Sequence, residues 1–143
     1  MGGWYNPLGY YEPQKLGGLS ITRFCQAVRA EGFEECIPGC NRALHTHPIF
    51  QSIDIYGSGK PTILSNAHPA IDVRPDRASL ASSETIQSRV LKIPWFKRYL
   101  PSEIEQYALA FKKTAENFEH LLPGDPGNPA DMGNWGTSSL LRP

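Results

Sequence analysis

The clearest periodic pattern in the chain begins at Ser20. Ile21, Phe24, Cys25 and Val28 recur at three- and four-residue steps, the spacing of one helix face. Ser20 is a favourable N-cap for that helix, and Gly32 stands where a left-handed residue would end it. A longer stripe follows near the C-terminal end, through Ile104, Tyr107, Ala108, Phe111, Ala115, Phe118 and Leu122. Ser102 with Glu105 three residues on reads as its capping box, and Pro123-Gly124 as its stop. Lys112, Lys113, Glu116 and Glu119 take its solvent side. Three segments read as strands. WYNPLGYY (4–11) is aromatic and carries a proline suited to an edge. FEECI (33–37) alternates, with Phe33, Glu35 and Ile37 on one face and Cys36 on the other. RVLKI, within SRVLKIPWF (88–96), alternates until Pro94 ends it.

Between these patterns the chain is irregular from Pro38 to about Ser83, with its most open stretch at 57–85. The GSGKP run at 57–61 lacks the spacing of a phosphate loop and reads as a turn. A loop this long within a compact domain is usually functional or partly mobile. The pattern is strand, helix, strand, long loop, strand, long helix. It predicts an α+β fold, a small two-layer sandwich with two main helices on one short, mostly antiparallel sheet. Residues 1–122 would form that domain. Residues 123–143, rich in Gly, Pro and Asp, would form a flexible tail or a docked arm held by Trp135, Leu140 and Leu141.

Composition narrows the function classes. The 143 residues carry 14 basic and 14 acidic side chains, so no basic excess points to nucleic acid. No apolar run approaches a membrane span, and no apolar signal segment follows Met1. The 3 cysteines make no disulfide framework, and a reducing, cytoplasmic setting is the simplest expectation.

Chemistry is concentrated in CIPGCNRALHTHP (36–48), where Cys36, Cys40, His45 and His47 are four soft ligands at short range. Structural zinc sites separate two ligand pairs by a longer finger. Here four residues separate the pairs, so no metal site is expected, and the cysteines read as small packing residues. His45 can donate or accept a hydrogen bond near neutral pH. It reads either as a contact for a polar ligand or as a histidine that holds its loop through backbone carbonyls. Asn41, Arg42 and, on the last strand, Arg89 are further polar candidates, with plain solvation as the alternative.

The order of these segments resembles a known family. A glycine pair leads into LSITRFCQAVRAEGF; a loop holding ALHTHPIF follows; the end carries RVLKIPWF and EIEQYALAFKKTAENF. This is similar to the C-terminal small domain of the DegT/DnrJ/StrS sugar aminotransferases, and spans about Trp4 to Leu122. The resemblance implies a lobe like that of fold-type-I aminotransferases, which use pyridoxal phosphate to aminate keto-sugars or cyclitols, often nucleotide-linked. It implies that His45, beside Leu44 and Pro48, contacts substrate at the active-site mouth, with Asn41, Arg42 and Arg89 as further substrate contacts. The family's Schiff-base lysine and phosphate cup lie on a large N-terminal domain. None of Lys15, Lys60, Lys92, Lys97, Lys112 or Lys113 falls in that lysine motif. The expectation is therefore a lobe with no catalytic residue and no cofactor site of its own, which pairs with a large cofactor domain or with itself. The alternative is a stand-alone binding or oligomerisation module acting through the aromatic first strand and the tail.

Overall fold

The computed structural model describes residues 7–74, 76, 78–96, 98–130 and 132. Within them lie two strands, β1 (Leu8–Tyr10) and β2 (Val90–Lys92). The α-helices are α1 (Ile21–Ala30), α2 (Pro48–Gln51), α3 (Ala81–Thr85) and α4 (Pro101–Glu116), with short 3-10 turns between them. Trp4, Tyr5, Lys97, Trp135, Leu140 and Leu141 lie outside the described residues. The chain divides into two compact units, one of residues 1–40 and 86–133 and one of residues 41–85 and 134–143.

The first unit is α+β. β1 and β2 pair antiparallel with Leu8 opposite Lys92, Gly9 opposite Leu91 and Tyr10 opposite Val90. Helices α1 and α4 pack on each other, and α1 also reaches β2. The predicted strand at 33–37 is not formed. Phe33 to Cys36 makes a turn, closed by the Cys36 N–H on the Phe33 carbonyl at 3.1 Å. Pairing begins only afterwards: Lys92 donates to Ile37 at 2.9 Å and Gly39 donates to Val90 at 2.7 Å. Between them Pro38 and Leu91 form an isolated bridge. A proline has no N–H to give a ladder, which keeps this third edge rudimentary.

The core fills as the α1 pattern dictates. Ile21, Phe24, Cys25 and Val28 are all buried, against Tyr11, Leu19, Cys36 and Leu91. Phe24 lies between two rings, its centroid 5.2 Å from Tyr11 and 6.0 Å from Phe111. The Tyr11 hydroxyl donates to the Leu19 carbonyl at 2.8 Å, which satisfies its one polar atom in the core. Gly17 has φ 61°, and a Cβ there would stand 3.0 Å from the Phe118 ring. The glycine pair thus supplies both a left-handed turn and a close approach.

Helix α1 is capped twice. The Ser20 hydroxyl accepts from the Arg23 N–H at 3.1 Å, as the sequence predicts. The segment after α4 adds a second cap. Asp125 accepts from the Ser20 N–H at 2.7 Å and from its hydroxyl at 2.5 Å, and Asn128 accepts from the Thr22 N–H at 3.2 Å. A carboxylate is favoured there because the first amides of a helix are otherwise unpaired and carry partial positive charge. Burial opposes ionisation of Asp125. The bonds from Ser20 and Gly127 and the nearby Arg23 charge outweigh it, so the carboxyl titrates below its ordinary range. A depressed folded-state value contributes stability that is present above the unfolded value of about 4 and fades as pH falls through the folded one. Asp125→Asn is expected to lower Tm in neutral buffer, by an amount equivalent to about 1 kcal/mol. The gap from the parent should close below about pH 4. Thermal melts of both proteins across pH check this, and a gap that persists into acid would contradict it.

Helix α4 departs from expectation at both ends. Its N-cap is Leu100, which makes no side-chain cap, and Pro101 opens the first turn. Proline is pre-organised for that position, so the helix starts two residues early and Ser102 lies inside it, where it cannot cap. The expected stripe to Leu122 breaks at Asn117, whose side-chain amide donates to the Lys113 carbonyl at 2.8 Å. Such a bond competes with continuation of the helix. Phe118 and Leu122 still reach the core, from a 3-10 turn at Phe118–His120 and the residues after it.

The second unit holds two short helices and no strand among its described residues. The long loop expected at 57–85 is interrupted by 3-10 turns at Thr62–Leu64 and Ala78–Leu80 and by α3.

Candidate functional site

His45 lies in a 3-10 turn, Leu44–Thr46, and is buried, with 6% of its surface exposed. Two local bonds shape the turn. The Thr46 hydroxyl donates to the Ala43 carbonyl at 2.8 Å, and the Gln51 amide donates to the His45 carbonyl at 2.7 Å. The His45 Nε2 makes a short contact with a Glu84 carboxylate oxygen, presented by α3. That contact is an ion pair when the imidazole is protonated and a hydrogen bond when it is neutral. It fastens the turn to a helix 39 residues away. Glu84 is the residue that sequence reasoning missed. It sits in a polar stretch, ASSET, with no apolar periodicity to announce a helix.

Asn41 is exposed and Arg42 half-buried in the same unit as His45, whereas Arg89 belongs to the other unit. Arg89 is exposed, and its guanidinium stacks over the Tyr10 ring at 4.8 Å from the centroid. This is a common resting place for an arginine on a sheet surface.

The four soft ligands are each engaged elsewhere. Cys36 is fully buried in the first unit's core, where a hydrogen bond between thiols, with burial, holds Cys25 well above an ordinary thiol. The same bond lowers Cys36. Cys40 accepts from the Gln87 amide at 3.5 Å and donates its own N–H to the Gln87 oxygen at 2.9 Å. His47 caps α2, its Nδ1 accepting from the Ile49 N–H at 3.1 Å. Among the described residues, no group of three or more His, Cys, Asp or Glu side chains is gathered as a metal would require.

The GSGK turn is closed by its own anion. Asp54 accepts from the Tyr56 N–H at 3.1 Å and the Gly59 N–H at 2.7 Å. Its carboxyl is lowered first by the Ser58 N–H and, against a small burial cost, by those of Gly59, Tyr56 and Gly57. The backbone donors a phosphate would need are therefore taken.

Lys15, Lys112 and Lys113 do not fit the amine that pyridoxal phosphate needs. Carbonyl chemistry needs a neutral amine in a dry pocket. Lys15 pairs with Glu12 at 2.5 Å and Lys113 with Glu31 at 2.8 Å, while Lys112 lies 3.8 Å from Glu116. All three are well exposed.

An apolar cavity of about 370 Å³ lies in the first unit between the sheet and α4. Gly9, Tyr11, Leu91 and Ile93 line it from the sheet side, and Ile104, Tyr107, Ala108 and Phe111 from the helix. Phe96 closes one end, its ring edge-on to Tyr107 at 5.2 Å. No charged side chain lines it among the described residues. At Ile104, Tyr107 and Ala108 the α4 stripe borders this opening.

No family model, curated protein or solved structure matches the chain. No described helix is long and apolar enough to cross a membrane.

Proposed function

We propose that the chain is a partner-dependent lobe with no chemistry of its own. In this reading it is the C-terminal small domain of a pyridoxal-phosphate sugar or cyclitol aminotransferase, and it helps to enclose a keto-sugar. The order of the motifs around α1, the LHTHP turn, β2 and α4 supports the parentage. The observation that carries partner dependence is the uncovered apolar opening between sheet and α4, beside solvated lysines paired with carboxylates.

The polar contacts to substrate in this reading are His45, Asn41, Arg42 and Arg89. Because His45 is buried against Glu84, its first duty is to hold the turn, and Asn41 and Arg42 are the better-exposed groups. Titrating the isotope-labelled chain with a nucleotide-linked keto-sugar at millimolar concentration is expected to shift the amide signals of residues 41–47 weakly. Signals that stay in place throughout would remove these residues from the substrate's path.

A second reading is favoured by the outer edge of β1, which pairs with no further strand among the described residues: a stand-alone module that binds a polypeptide. In that case cytoplasmic partners, or a second copy, replace the cofactor domain.

A further inference from the structure

The register of the two strands determines what β1 offers to its surroundings. Tyr11 donates to the Arg89 carbonyl at 2.7 Å, and Ile93 donates to the Pro7 carbonyl at 3.1 Å. The odd-numbered residues of β1 therefore turn their backbone groups towards β2. The N–H and C=O of Leu8 and Tyr10 point the other way. β2 is partly engaged on its outer side, where Lys92 donates to Ile37 and Val90 accepts from Gly39. Leu8 and Tyr10 are well exposed, and neither carries a charge that would keep a strand away.

The apolar cavity lies beside this edge. Gly9 is the inward-facing residue between Leu8 and Tyr10 and brings no side chain, and Leu91 and Ile93 lean over it closely. The volume is in the range of sites that accept a small apolar group. With no charged side chain in its lining among the described residues, it favours an uncharged side chain.

We propose that the β1 edge and this cavity together bind one extended peptide segment of a partner polypeptide. The segment hydrogen-bonds to Leu8 and Tyr10 at a two-residue spacing and places one aromatic or branched apolar side chain between β1 and α4. Free backbone donors and acceptors at that spacing complement an extended strand, and the cavity selects its inward side chain. A second copy of this chain is the poorer occupant. If two β1 edges paired about Gly9, each would present a glycine to the other's cavity, while Tyr11 is committed to its own core. This inference rests on the second reading above, that of a polypeptide-binding module.

The test is a selection of random heptapeptides displayed on phage against the whole chain, followed by titration of the synthetic winners. The expected winners share one aromatic or branched apolar position flanked by β-forming residues. Their binding should slow hydrogen exchange at the Leu8 and Tyr10 amides, which exchange fast in the free chain. Tyr10→Pro removes an outward N–H without touching the ladder to β2, and Ala108→Glu sets a charge at the cavity mouth from an exposed helix position. Each should weaken binding at least tenfold, with an unchanged melting temperature for Ala108→Glu certifying the fold. Winners that protect other amides, or bind both variants normally, would overturn this site and leave the module reading standing. No winners, with the free chain monomeric, would overturn both. A dimer that protects Leu8 and Tyr10 would give the edge to a second copy and overturn the peptide proposal.

Discussion

Truncating Phe24 to alanine is expected to cost about 3–5 kcal/mol, enough to unfold a domain of ordinary marginal stability. The ring stands between Tyr11 and Phe111, so it joins the residue after β1, helix α1 and helix α4 at one point. Removing it loses the transfer energy of the ring and leaves a hole that its neighbours cannot easily fill. The apolar opening is already next to it, since Phe24 also lines that cavity. Enlarging an existing space places the cost at the upper end of the range, because less surrounding structure is available to collapse inward. Urea unfolding of both proteins measures it. A loss below about 1 kcal/mol would mean that the three elements are not joined through this ring.

The second large effect is local. His45→Ala is expected to release the 41–85 unit while leaving the first unit folded. The imidazole is buried, and Glu84, its partner, is 26% exposed at the side chain. Deleting the imidazole empties a buried site and takes the hydrogen-bond partner from Glu84, a loss of about 2 kcal/mol. Hydrogen exchange should accelerate across residues 44–51 and 81–85, with α1 and α4 unaffected. Glu84→Gln keeps an oxygen to accept from the imidazole, so it should cost less than His45→Ala. Equal exchange in His45→Ala and the parent would show that the turn stands without the pair. It would return His45 to the role of an uncommitted polar group.

The α1 helix was legible in the sequence because four buried side chains and a serine cap coincide at one period. Helix α4 was legible as a helix but not in its limits. Pro101 and Asn117 act through backbone geometry and a side-chain-to-backbone bond, which the apolar stripe does not register. The third strand did not form as read, since FEECI alternates well but makes a turn, and pairing is confined to an isolated bridge at Pro38. The composite cap of α1 by Asp125 and Asn128 was hidden for another reason. Its partners lie more than a hundred residues from Ser20 and Thr22, in a stretch whose Gly, Pro and Asp content signals a tail. His45 was legible as a polar candidate, yet its partner Glu84 is a distant residue in a stretch with no pattern. The ligand-like spacing of CIPGCNRALHTHP does not gather into one cluster among the described residues. Its two cysteines and two histidines belong to different compact units and have separate partners.

The reading proposed above is of a lobe that meets another polypeptide, and its Lys15, Lys112 and Lys113 are exposed to water. The most direct measurement of that claim is to incubate the whole chain with pyridoxal phosphate, reduce with borohydride and map the label by mass spectrometry. The expected result is sparse labelling spread over exposed lysines such as Lys15, Lys112 and Lys113, well below one label per chain. One lysine labelled stoichiometrically, with the visible absorption band of a bound cofactor before reduction, would contradict the account.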